Sequence, residues 1–179
     1  MNEVDDVPAQ VRSMVGHSYR IDDVYDVGAA KVSEFAKAVQ NFHPAHFDID
    51  AAKALGHPAL VAPPTFMSLV AFVAQRRMFE EALNCYALPQ VLQVDQRFAF
   101  HRPLQAGDRL SCEVTLVSAR RASGADLMIV ENDIFDQHNQ PILKATTTLV
   151  ASIETSMPDG FMDVVDRIMM ASPPPNPPG

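Results

Sequence analysis

The stretch PPTFMSLVAFVAQRRMFEEAL, residues 63–83, constrains the fold more than any other part of the chain. Two prolines followed by threonine form a helix-start signal, because proline lacks the N–H that a first helical turn leaves unpaired anyway. From Thr65 to about Leu83 the apolar residues Phe66, Leu69, Val70, Phe72, Val73 and Phe79 cover most of a helix circumference, and up to Ala74 there is almost no polar face. A helix apolar all round is wrapped by protein or lies in a membrane. This one is too short and too charged at its end for a membrane, so it is expected as a core helix covered on all sides.

What covers it lies downstream. Val91–Phe100, Arg109–Ala119, Asp126–Phe135 and Ile142–Ile153 are strand-like runs rich in Val, Ile, Thr and Phe. The turns A-G-D, S-G-A-D and Q-H-N-Q separate them and predict antiparallel hairpins between successive strands. One early buried helix followed by antiparallel strands is an α+β layout, best met by a single curved sheet wrapped round that helix. Upstream, residues 1–15 read as a flexible arm, and His17 to Val27 alternates weakly like a strand. Ala29 to Gln40 carries Val32, Phe35, Ala36 and Val39 at helical spacing, and a short helix through Ala51, Ala52 and Ala54 ends at Gly56. One domain is expected over residues 16–153. Residues 154–179 read as a short amphipathic helix through Phe161, Val164, Val165, Ile168 and Met169, then a disordered P-P-P-N-P-P-G tail.

The formal net charge of −8 argues against a nucleic-acid binder, which presents a basic face to phosphates. Cys85 and Cys112 read as small buried hydrophobes in a reducing compartment. The acidic N-terminus lacks the basic region of a secretory signal, and a cytoplasmic location is expected. There is no G-x-S-x-G elbow and no glycine-rich phosphate loop, which removes the usual hydrolase and nucleotide readings.

The chemistry concentrates in N-F-H-P-A-H-F-D, Asn41 to Asp48. His43, His46 and Asp48 or Asp50 form a superficial metal-ligand set, but the spacing is short and no second cluster supports it, so no metal is expected. Asp95 and Asp108 read as strand and turn residues. Arg76, Arg77, Arg120 and Arg121 read as solvated surface charge, with an acidic carrier protein or a coenzyme phosphate as the functional alternative.

Leu92 to Leu110, L-Q-V-D-Q-R-F-A-F-H-R-P-L-Q-A-G-D-R-L, together with Y-R, E-F-A-K-A-V-Q, H-P-A, L-V-A-P-P-T-F and T-T-T-L, resembles the MaoC-like hotdog proteins of actinobacteria. Within that family it is most similar to the accessory subunits of mycobacterial (3R)-hydroxyacyl-ACP dehydratases. The resemblance runs from about Gly16 to Ser152. It implies a hotdog fold and work on 3-hydroxyacyl or trans-2-enoyl thioesters carried by acyl carrier protein or coenzyme A. It also implies a dimer, often of one catalytic and one non-catalytic chain, and no cofactor.

The family's hydratase motif, roughly G-D-x-N-P-x-H, carries over at Pro44 and His46, while His43 stands at the asparagine and Asn41 at the essential acid. An asparagine holds a water but takes no proton from it, and general acid–base help is worth about 10²–10⁴-fold. The family's oxyanion glycine falls on Pro64, which has no N–H, although Thr65 and Phe66 offer N–H groups nearby. The resemblance therefore implies an acyl-binding accessory chain of a (3R)-hydroxyacyl-thioester dehydratase in fatty-acid synthesis of the mycolic-acid kind. Phe66, Leu69, Val70, Val73, Phe98 and Phe100 would contact the acyl chain, and a catalytic hotdog partner would supply the intact acid. Two alternatives stand beside it: a self-sufficient homodimeric hydratase or thioesterase using His46, and a binding module that holds acyl thioesters without reaction.

Overall fold

Strict alternation builds the sheet. In a computed structural model, which describes residues 7–86, 90–122 and 124–151, the elements in chain order are α1 (Ala9–Met14), β1 (Ser18–Asp26), α2 (Ala29–Ala38), a 3-10 turn (Pro44–His46) and α3 (Ile49–Ala54). They continue with α4 (Phe66–Glu81), β2 (Val91–Phe100), β3 (Arg109–Ala122), β4 (Ala125–Phe135) and β5 (Pro141–Ala151). On β4 every second residue is buried, as on most of β3 and β5, so Cys112, Val114, Met128, Val130, Ile134, Ala145 and Leu149 line one face. Helix α4 packs on this face and contributes Phe66, Met67, Val70, Ala71, Ala74, Met78 and Phe79 to the same core.

The five strands are all antiparallel, in the order β1-β3-β4-β5-β2. The α+β architecture expected from periodicity is therefore present. The hairpin expected between β2 and β3 is not. Strand β2 pairs with β5, from Val91 opposite Ala151 to Phe100 opposite Leu143. The connection between β2 and β3 is long enough to cross the end of the sheet, and its A-G-D turn bonds elsewhere: Ala106 N–H donates to Leu60 O and Gly107 N–H to Val27 O, both at 2.8 Å. Gly107 has φ +95°, a conformation that favours glycine. The β4–β5 turn is a true hairpin, with Asp136 Oδ1 accepting from the N–H groups of His138 and Gln140.

Two other expectations change. The stretch read as a flexible arm carries α1, and Val11 on that helix and Val7 just before it are buried in the core, where their apolar side chains gain by leaving water. Helix α4 is not covered on all sides. Phe66, Met67, Val70, Ala71, Ala74, Gln75, Met78 and Phe79 form one buried stripe, whereas Phe72 is exposed and Leu69 and Val73 are half-buried. The C-terminal helix and tail, and the end of the last strand at Ile153, lie outside the described residues. Among the described residues no helix is long and apolar enough to cross a membrane.

Candidate functional site

The segment Asn41–Asp48 is a chain of caps. Asn41 Oδ1 accepts from the His43 N–H at 3.3 Å, and His43 Nδ1 accepts from the Ala45 N–H at 3.3 Å as N-cap of the 3-10 turn that Pro44 opens. Asp48 Oδ1 then accepts from the Asp50 N–H at 2.9 Å and caps α3. His43 and Asp48, two members of the superficial metal set, thus spend acceptors on turns.

His46 is different. It is only 5% exposed, and its Nδ1 lies 2.6 Å from the carbonyl oxygen of Val61. A carbonyl only accepts, so Nδ1 carries the proton and the neutral ring keeps Nε2 as an acceptor. Among the described residues Nε2 has no hydrogen-bond partner. Val61 is the joint of the site, because its own N–H donates to Ala45 O at 3.0 Å and it bridges to Gln105. The Ala62 N–H donates to Leu104 O at 2.8 Å. The histidine turn, the segment entering α4 and the loop after β2 are therefore one bonded unit.

Between them lies a cavity of about 360 Å³, walled by His46, Val61–Pro64 and Met67 on one side and Phe100–Leu104 on the other. Its wall is mostly apolar, as binding sites for acyl groups require. Of the residues expected in the site, it brings together His46, Pro64 and Phe100. Asn41, Thr65, Phe66, Leu69, Val70, Val73 and Phe98 are not in this wall. Phe66 and Val70 are fully buried, with the Phe66 ring edge-on to Tyr25 and Phe35 at 5.7 and 5.1 Å. The Phe66 N–H is spent on Pro63 O at 2.9 Å, so of the two N–H groups expected at the helix start only that of Thr65 lacks a partner among the described residues.

Sequence reasoning missed a clamp that starts in the wall at Arg102. Arg102 donates both terminal nitrogens to Asp108 at 2.8 Å each, and its Nη2 also donates to Asp136 at 3.0 Å. Both carboxylates are buried. The Asp108 hydrogen bonds, foremost, raise the Arg102 pKa further. Burial alone would raise the Asp136 pKa; the N–H groups of Gln140 and His138 and the Arg102 guanidinium outweigh it, and the pKa is lowered. The clamp ties the loop after β2 to the β4–β5 turn. Its only sequence signal is an aspartate at each of those two turns. Of the four arginines read as surface charge, Arg76 pairs with Glu80 on α4, and Arg121 pairs with the buried Asp126, which also accepts from Tyr86 Oη at 2.6 Å.

The sheet, the central helix and this cavity define a MaoC-like hotdog protein of the dehydratase and hydratase kind. A family model for the FAS1-like, dehydratase domain region matches residues 13–145, and the chain belongs to that family. A UPF0336 protein of Streptomyces coelicolor is 38% identical over 140 residues, covering 78% of this chain and 93% of the relative. One of Mycobacterium leprae is 35% identical over 151 residues, covering 84% and 95%. Among solved structures, the C-terminally truncated HadBC (3R-hydroxyacyl-ACP dehydratase) complex of Mycobacterium tuberculosis is similar, with TM-score 0.69 and 36% identity over 77% of this chain and 97% of that one. A MaoC-like dehydratase gives TM-score 0.75 and 40% identity over 88% of this chain and only 48% of its own.

Proposed function

We propose that this chain is the acyl-binding, accessory subunit of a two-chain (3R)-hydroxyacyl-thioester dehydratase or enoyl hydratase. The observation that carries the reading is the cavity: His46 stands in a mostly apolar wall with Nε2 unbonded, and among the described residues no carboxylate lines that wall. Addition of water to an enoyl thioester needs one group to take a proton from water and another to give one to the α-carbon. A single imidazole does half of this. The stabilising N–H at the helix start is also missing at Pro64.

A partner chain is part of the reading. Phe72 on α4 is exposed beside β2, an edge strand that pairs only with β5 among the described residues, and Leu69 and Val73 are only half-buried. A second hotdog would cover both. Resemblance to one chain of the HadBC complex, and to half of a MaoC-like dehydratase twice as long, supports that arrangement. One observation favours a second reading, a self-sufficient hydratase or thioesterase: the His46 ring is locked in the tautomer that leaves a basic nitrogen free.

Hydration of a trans-2-enoyl-CoA by the chain purified alone, beside Asn41→Asp and His46→Ala, separates the two. The accessory reading expects no turnover by the unmodified chain. Turnover that disappears in His46→Ala establishes the second reading and overturns the first.

A further inference from the structure

An acyl thioester in this cavity has a carbonyl oxygen that must find a hydrogen-bond donor or be buried at a cost. The helix start does not supply one. Pro63 and Pro64 carry no N–H, the Phe66 N–H is bonded to Pro63 O, and the Met67 N–H is turned to Pro64 O at 3.4 Å. Thr65 is exposed and outside the wall. His46 offers an acceptor. The permanently charged donor in the wall is Arg102.

Arg102 is held so that one donor remains. Nη1 bonds Asp108 and the Pro103 carbonyl, and Nη2 bonds Asp108 and Asp136. The fifth proton, on Nε, has no partner among the described residues. With four of five protons committed the guanidinium is fixed, so the remaining one is pre-organised. The cluster holds one cation and two carboxylates, a formal charge of −1. It therefore repels phosphate or carboxylate and suits a neutral acceptor such as a carbonyl oxygen. We propose that the Arg102 Nε–H binds the thioester carbonyl of the acyl ligand and stands in for the donor that Pro64 cannot supply. This rests on the acyl-binding reading above.

The test compares octanoyl-CoA with its S-octyl-CoA thioether, which lacks only the carbonyl, in titrations of the full chain. Wild type should bind the thioester roughly tenfold or more tightly, the usual worth of a hydrogen bond to a charged group. The infrared carbonyl band of the ¹³C-labelled thioester should move to lower frequency on binding. Arg102→Gln should lose both the preference and the shift. Asp136→Asn loosens the clamp but leaves Nε–H in place, so it should weaken the preference and keep the band shift, which separates donation from simple loss of structure. His101→Phe removes the other side-chain donor in the wall and should keep both. Equal affinity for the two ligands in wild type, or a preference lost in His101→Phe, overturns the assignment to Arg102 while acyl binding stands. If neither ligand binds, and the octanoyl thioester on an acyl carrier protein does not bind either, the acyl-binding reading falls and this inference with it.

Discussion

His46 and Asn41 sit on the same short loop and are used in opposite ways. Asn41 is drawn onto the backbone of its own loop, whereas His46 is turned inward against Val61 and closes the cavity. The His46 bond is structural whatever chemistry follows. His46→Ala leaves the Val61 carbonyl bare in a buried place, and should cost about 1–3 kcal/mol in urea unfolding. Long-range ¹H–¹⁵N NMR should show the proton on Nδ1 in the neutral ring. A proton on Nε2 would contradict the hydrogen-bond assignment. Asp136 makes a second residue-scale case. Its pKa is lowered in the fold, so its contribution is complete above the ordinary carboxylate pKa and is lost as pH falls through the lowered value. Stability should therefore drop on acidification from pH 7 towards about pH 3 more steeply in wild type than in Asp136→Asn. Parallel curves would show that the clamp contributes nothing.

At the scale of elements, Phe66 decides between two roles that one side chain type serves equally well. It is expected against an acyl chain, and at the start of α4 it is packed against Tyr25 and Phe35. Phe66→Ala should cost about 3–5 kcal/mol of stability through the space it leaves. At temperatures where the variant is folded, its acyl-chain-length preference should be unchanged. A changed preference with little loss of stability would return Phe66 to the ligand. The same ambiguity explains what was legible in the sequence. Period-2 alternation and helical spacing give element type directly, and β2 to β5 appear within a few residues of the expected bounds. Strand order did not follow, because a connection as long as the one from Phe100 to Arg109 is compatible with a hairpin loop or with a crossing over the sheet end. The pairing of β2 with β5 decides between them, and the hydrogen bonds of Ala106 and Gly107 to Leu60 and Val27 hold the crossing in place. The cavity was legible at His46 and Pro64, where a motif carries position. It was not legible at Arg102, whose role depends on two aspartates brought together by turns far apart in the chain.

For the whole molecule, the open surface has a definite character. Leu92 and Val94 on β2 are 63% and 58% exposed, and Phe72 on α4 lies uncovered on the same side as Val91 and Leu149. Apolar area of this kind beside a strand edge that has no second partner among the described residues favours association with a second hotdog chain. The chain also carries a formal net charge of −8, which opposes pairing with a copy of itself. Salt separates the two effects. It screens the repulsion over a Debye length of about 10 Å at 0.1 M and leaves apolar burial intact. Self-association measured by sedimentation should therefore strengthen as salt rises, and Phe72→Glu or Val94→Lys should abolish it. Melting of the isolated chain should move little, since exposed substitutions cost within about 0.5 kcal/mol. Association that weakens with salt would mean an interface built on ion pairs, and the α4–β2 surface would not be its centre. A chain that stays single at every salt concentration would show that this surface is kept for a different partner, one whose charge offsets the excess of acid.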